Sequence, residues 1–87
     1  MQCFLYILRS ETSGKLYIGQ TNNLTHRLLL HNSNQVTSTR NKGPWTIIYS
    51  KECLDRSEAM KYESKFKKWK NRQRILDWIK RQTSQSG

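Results

Sequence analysis

The sequence predicts an α+β fold: a three-stranded, mostly antiparallel sheet flanked by helices, in the order β-β-α-β-α-α. Three observations carry this expectation. Apolar and aromatic residues gather into short strand-length runs. Other segments repeat their apolar residues at helical spacing. Turn-forming Ser, Thr, Asn and Gly separate them. The chain of 87 residues suffices for one domain, expected over residues 1–82 with a flexible tail over 83–87.

The first run, Cys3 to Leu8, reads as a strand. Alternation puts Phe4, Tyr6 and Leu8 on one face and Cys3, Leu5 and Ile7 on the other. Ser10-Glu11-Thr12-Ser13-Gly14 is turn chemistry. Leu16-Tyr17-Ile18 then pairs back as a hairpin and ends at Gly19. Thr21-Asn22-Asn23 caps a helix on which Leu24, Arg27, Leu28 and His31 share a side. Asn32 to Gly43 is polar, basic and aperiodic, and reads as a loop. Gly43-Pro44 opens a third strand, Trp45 to Ser50. Ser57-Glu58 starts a second helix with Ala59, Tyr62, Phe66 and Trp69 as its apolar stripe. Asn71 breaks that helix and caps a third, Arg72 to Lys80, with Ile75, Leu76, Trp78 and Ile79 facing inward.

Charge narrows the choice of partner. Sixteen Lys and Arg against six Asp and Glu give a formal net charge of +10. Such a chain repels itself, and a polyanion relieves the repulsion. Nucleic acid is the leading partner. No long apolar stripe with basic flanks favours a membrane surface, and no run approaches the length of a membrane span. Cys3 and Cys53 are too few for a disulfide scaffold and have no zinc-type spacing. No signal peptide is apparent, so a reducing cytoplasm is the expected setting.

The residues able to carry chemistry are few. No P-loop, GxGxxG, GxSxG or HExxH motif occurs, which disfavours nucleotide-driven enzymes and zinc proteases. Glu63 lies mid-helix on the margin of the apolar stripe. From spacing alone, an exposed acid pairing with Lys67 at i+4 is the stronger reading. A hard cation can nevertheless be held by one carboxylate when substrate phosphates and water complete its shell. Arg27 and His31 project from one helix face, where the guanidinium suits a phosphate and the imidazole suits proton transfer. Their plainer reading is cover for the core edge. Tyr6 and Tyr17 sit on adjacent strands. Either phenol needs nearby positive charge to act as a base.

In order, these motifs resemble the GIY-YIG nuclease superfamily, which includes homing endonucleases, some restriction enzymes and the N-terminal nuclease domain of the excision-repair incision subunit. Phe4-Leu5-Tyr6 stands where that family has Gly-Ile-Tyr, and Tyr17-Ile18-Gly19 matches its second triplet outright. Thr21-Asn22-Asn23-Leu24, Arg27 and His31 fit the helix that follows. Gly43-Pro44-Trp45 is usual in short single-domain members. Glu63, within Glu58-Ala59-Met60-Lys61-Tyr62-Glu63, fits the metal-binding glutamate, and Lys67-Lys68-Trp69-Lys70-Asn71-Arg72 resembles the basic run after it. The likeness spans Cys3 to Ile79.

The resemblance implies a metal-dependent DNA endonuclease that hydrolyses phosphodiester bonds, in DNA repair or recombination. Glu63 would hold one divalent cation, Mg²⁺ or Mn²⁺, and Arg27 would stabilise charge on the phosphoryl oxygens. Tyr6 or Tyr17 would activate water, with His31 relaying or orienting the proton. Gly19 would admit a close backbone approach. Lys15, Arg40, Lys42, Lys67, Lys68, Lys70, Asn71 and Arg72 would grip the nucleic-acid backbone. RNA stays open as a substrate. Family members usually draw specificity from a second domain, for which this length leaves no room. The expectation is therefore weak cutting, a preference for branched or nicked DNA, or dependence on a protein partner or homodimer. The alternatives are a non-catalytic nucleic-acid-binding module of the same fold and a basic structural RNA-binding protein.

Overall fold

The computed structural model describes residues 3–69 and 71–84. Its elements are β1 (Cys3–Ser10), β2 (Leu16–Thr21), α1 (Leu24–Asn32), a 3₁₀ turn (Thr37–Thr39), β3 (Trp45–Cys53), α2 (Arg56–Trp69) and α3 (Arg72–Ser84). The sheet order is β2-β1-β3, and both pairings are antiparallel. The α+β architecture expected from the sequence is present.

β1 is the centre strand, and its alternation divides the core in two. Leu5 and Ile7 join Cys53, Ala59, Phe66, Ile75 and Ile79 in a cluster beneath α2 and α3. Tyr6 and Leu8 face the other way and pack with Trp45, Tyr17, Leu24 and Leu28 beneath α1. Leu5, Ile7 and Leu8 are wholly buried. A strand covered on both faces needs apolar residues at every position, which is what the Leu-Tyr-Ile-Leu run supplies.

Several boundaries differ from the sequence reading, each for a tertiary reason. β1 continues to Ser10 because β3 pairs along its full length, Ser10 lying opposite Trp45. The Ser10 hydroxyl donates to the Lys42 carbonyl at 2.6 Å, which ties the loop after α1 to the end of β1. β3 likewise runs on to Cys53, opposite Cys3. The β1/β3 register slips between Ile7 and Leu8, whose partners are Tyr49 and Ile47. Ile48 is the extra residue of a bulge, so both Ile48 and Tyr49 reach the α2/α3 cluster. The segment expected to be all loop contains the Thr37–Thr39 turn. The backbone of α3 runs to Ser84, past the expected end at Lys80; residues 85–87 of the expected tail lie outside the described residues.

The expected caps are made. Asn23 accepts from the His26 amide at 3.0 Å and Asn71 from the Arg74 amide at 3.2 Å. Asp55 opens α2 by accepting from the Glu58 amide at 2.9 Å. Gly14 takes a left-handed φ of 74° in the β1–β2 turn, which a side chain would oppose.

Candidate functional site

Four of the polar residues singled out in the sequence meet on the α1 face of the sheet. Tyr6 comes from β1, Tyr17 from β2, and Arg27 and His31 from α1. Arg27 Nε donates to the Tyr6 hydroxyl at 3.3 Å. The same hydroxyl lies 3.0 Å from His31 Nε2. His31 Nδ1 lies 2.7 Å from the Thr39 hydroxyl. The Tyr17 ring packs against the His31 ring with centroids 4.9 Å apart. Tyr6 and His31 are 2% and 1% exposed, so the cluster is sealed in while Arg27 and Tyr17 stand at its half-buried mouth.

One proton arrangement satisfies every member. Arg27 donates to the Tyr6 oxygen, Tyr6 donates to His31 Nε2, His31 Nδ1–H donates to Thr39, and Thr39 donates to the Val36 carbonyl at 3.5 Å. Electrostatics agree with a neutral imidazole. Burial, aided by the nearby Arg27 charge, lowers the His31 pKa to about 4. Burial also raises the Tyr6 pKa; the Arg27 hydrogen bond opposes this, and the charges of Tyr17 and Glu63 add to it. The positive charge expected to lower a tyrosine is therefore present but outweighed at Tyr6. The hydrogen bond that Arg27 donates to Tyr6 in turn raises the Arg27 pKa above its ordinary value.

Thr39 was not singled out in the sequence, and nothing in a polar, aperiodic loop marks it. Its place is set from outside. The Trp45 indole donates to the Thr39 carbonyl at 3.2 Å. Asn32 grips both backbone groups of Trp45, accepting from its amide at 2.6 Å and donating to its carbonyl at 3.1 Å.

Gly19 lies opposite Tyr6 in the register. A Cβ built there would stand 2.6 Å from the Tyr6 hydroxyl. The glycine thus makes room for the tyrosine of the neighbouring strand. The close approach that the glycine permits on this face is made by Tyr6.

Glu63 reaches the same edge strand from α2. Its carboxylate accepts from Gln20 Nε2 at 3.3 Å and pairs with Lys67 at 2.8 Å. The i+4 ion pair that spacing favours is thus made. Gln20 was missed in the sequence, although strand alternation from Gly19 turns it toward α2. Glu63 is 21% exposed and Lys67 62%.

The expected backbone-gripping residues divide. Lys15, Lys67, Asn71 and Arg72 line one cleft of about 610 Å³ between β2 and the α2–α3 junction. Arg72 also donates to the Gly14 carbonyl at 3.0 Å, and Asn71 spends its side-chain oxygen on the α3 cap. Lys68 departs from this group. A helical step of roughly 100° turns it away from Lys67 into a separate groove with Lys61 and Lys65 on the outer face of α2. Arg40 and Lys42 sit on the loop after α1, where Lys42 donates to the Ser38 carbonyl at 3.3 Å. Neither lines the β2 cleft. Lys70 lies outside the described residues.

Comparison with known proteins supplies the class. The family model described as the GIY-YIG catalytic domain matches residues 2–75. This chain belongs to the GIY-YIG family, a family of nucleases acting on nucleic acid. Among individual relatives, a UPF0213 protein of Oceanobacillus iheyensis is 42% identical over 67 residues, covering 76% of this chain and 77% of its own. A UPF0213 protein of Bacillus pumilus is 35% identical over 74 residues, covering 84% and 74%. The solution NMR structure of a UPF0213 protein from Bacillus halodurans superposes with a TM-score of 0.58 at 26% identity, over 92% of this chain and 84% of that one. These names carry no activity, metal or pathway. Among the described residues no helix is long and apolar enough to cross a membrane.

Proposed function

We propose that this chain is a metal-dependent DNA endonuclease whose reaction takes place at the β2 edge, between Arg27, the two tyrosines and Glu63. The observation that supports this best is convergence. Tyr6, Tyr17, Arg27 and His31 come from three elements to one connected cluster, and the charge of Glu63 reaches Tyr6 from a fourth. Such an Arg–Tyr–His–Thr chain suits proton transfer beside a phosphate.

Glu63 fits one Mg²⁺ or Mn²⁺. It offers a hard oxygen donor oriented by Gln20, with spare lone pairs on both oxygens. No group of three His, Cys, Asp or Glu residues stands together among the described residues, so phosphate oxygens and water would have to complete the shell of an ion held by Glu63. When bound, the ion supplies Lewis-acid polarisation of the scissile phosphoryl group. Arg27 stabilises charge developing on the phosphoryl oxygens. Tyr17, half-buried at the mouth of the cluster, or Tyr6 behind it activates the attacking water. The neutral imidazole, bonded to the Tyr6 hydroxyl and held in place by Thr39, orients the phenol. Tyr17 flanks the imidazole at the mouth of the cluster. Lys15, Lys67 and Arg72 hold the strand by its phosphates. The reading extends to a role in DNA repair or recombination in the cytoplasm, with a partner or a second copy of the chain supplying further specificity.

A second reading, a binding module that does not cut, is favoured by one observation: Lys67 already occupies the Glu63 carboxylate. Cleavage of labelled duplex, single-stranded, nicked and branched DNA, with Mg²⁺, Mn²⁺ or EDTA, separates the two. The nuclease reading expects metal-dependent cutting that falls roughly 10²–10³-fold in Arg27→Ala. In Glu63→Gln the fall is on the order of 10³-fold, equivalent to several kcal/mol. Full cutting by Glu63→Gln sinks the metal assignment. Salt-sensitive binding with no cutting by the parent selects the binding module.

A further inference from the structure

A second cleft opens at the other end of β2. It encloses about 750 Å³ between the β2–α1 connection and the β3–α2 loop. Two of its wall residues also belong to the proposed reaction centre. Arg27 carries the hydrogen bond to Tyr6, and Gln20 carries the hydrogen bond to Glu63. Whatever fills this cleft lies next to a phosphate held at Arg27.

The remaining walls define the chemistry of the occupant. Leu54 is 87% exposed at the lip, the most exposed large apolar side chain in the described structure. The Asn22 amide and the Arg56 guanidinium line the cleft and make no hydrogen bond or ion pair with other described residues. Asp55 is committed to capping α2. With Arg27 and Arg56 against Asp55, the cleft carries a positive excess. An apolar lip, an unspent carboxamide and an unspent cation beside an arginine suit a nucleotide, which offers a base face, a base edge and a phosphate. The cleft is large enough for one. A base stacked and paired in a duplex presents neither its face nor its pairing edge, so the nucleotide must be unpaired when it enters. A base already unpaired enters at least cost.

From this we infer that the cleft bounded by Gln20, Asn22, Arg27, Leu54 and Arg56 is the subsite for the nucleotide flanking the scissile phosphate, taken unpaired. The inference rests on the nuclease reading for the position of that phosphate. Leu54 provides the stacking surface, Asn22 meets the base edge, and Arg56 holds the next phosphate.

The test reads binding apart from cutting. A fully paired duplex and the same duplex with a short single-stranded gap, carrying 2-aminopurine in the gap, are titrated with the whole protein in EDTA. The expected result is gapped DNA bound about tenfold or more tighter than paired DNA, with a 2-aminopurine fluorescence change on binding. In Leu54→Ser and in Asn22→Ala the preference falls to within about twofold and the fluorescence change is lost, while affinity for paired duplex is kept. Both substitutions are at exposed positions, where folding is little affected; circular dichroism checks this. Equal affinity of the parent for the two DNAs, or an undiminished preference in both variants, overturns the subsite. Repeating the comparison in Mg²⁺ separates the two readings. Metal-dependent cutting of paired and gapped DNA at equal rates removes the subsite and keeps the nuclease. A gap preference lost in Leu54→Ser, without cutting of any DNA, keeps the subsite and removes the nuclease.

Discussion

The two faces of the sheet are sealed equally well but held by different forces. Beneath α2 and α3, Leu5, Ile7, Ala59 and Phe66 are at most 1% exposed, and the Phe66 ring packs edge-on against Trp69 and Trp78. Beneath α1, Tyr6, His31 and Thr39 are almost as buried, yet a chain of hydrogen bonds joins them. Apolar contact is non-directional, and its loss scales with the volume removed. A buried polar chain is directional, and one missing member strands its neighbours. Alternate residues of β1 thus serve two ends, Leu5 and Ile7 the apolar cluster and Tyr6 the hydrogen-bonded one proposed as the site.

The largest test of this division sets Phe66→Ala against Tyr6→Phe. Removing the Phe66 ring opens a cavity in the apolar cluster and is expected to cost about 3–5 kcal/mol in urea unfolding. Tyr6→Phe keeps the ring and deletes one hydroxyl, leaving Arg27 Nε and His31 Nε2 without that partner. Its expected cost is about 1–3 kcal/mol, with DNA cleavage lost. Equal costs for the two substitutions would dissolve the distinction between the faces.

Acid should weaken one face selectively. The His31 pKa is about 4 in the folded protein against roughly 6.5 when unfolded. Between these values the unfolded chain binds the extra proton, so stability rises with pH there. The contribution is complete above about pH 6.5, is lost as pH falls toward 4, and does not fall further below. The span of roughly 2.5 pKa units corresponds to about 3 kcal/mol. Unfolding midpoints measured from pH 7 to pH 4 should follow this slope in the parent and flatten in His31→Gln. An unchanged slope in that variant places the acid sensitivity elsewhere.

A smaller effect is expected at Gly19→Ala. The added methyl meets the Tyr6 hydroxyl at 2.6 Å and its Cζ at 2.8 Å. The ring must shift, at about 1–3 kcal/mol, and the His31 imidazole resonances in an NMR spectrum should shift with it. Unmoved resonances would mean that another residue, not Gly19, sets the position of Tyr6.

Much of this was legible in the sequence because it rests on periodicity. The Leu5/Ile7 and Tyr6/Leu8 division follows from a strand period of two, and the Ala59–Tyr62–Phe66–Trp69 stripe from a helical one. Tyr6, Tyr17, Arg27 and His31 were found through residue type and the ordered motifs. The unread parts depend on contacts distant in the chain. Thr39 becomes a partner of His31 because Asn32 and Trp45 fold its loop back. The bulge at Ile48 lies in the pairing of β3, not in its composition. Gln20 and the separation of Lys67 from Lys68 were within reach of simple geometry. A run of basic residues invites reading as one surface, although a helix distributes consecutive residues around its circumference.

The Lys67–Glu63 pair has a consequence for encounter with DNA. A lone carboxylate at the centre of a basic edge would repel the phosphate it is meant to receive. Lys67 acts there as a tethered counterion, cancelling the acid's charge and leaving Lys15 and Arg72 to set the local potential. A pair this exposed is held only weakly, so a better cation can displace the ammonium. The freed lysine then stands one helical turn from the carboxylate, ready to meet a phosphate itself. In the proposed reaction the same side chain would guard the acid before substrate arrives and join the grip on the polyanion afterwards.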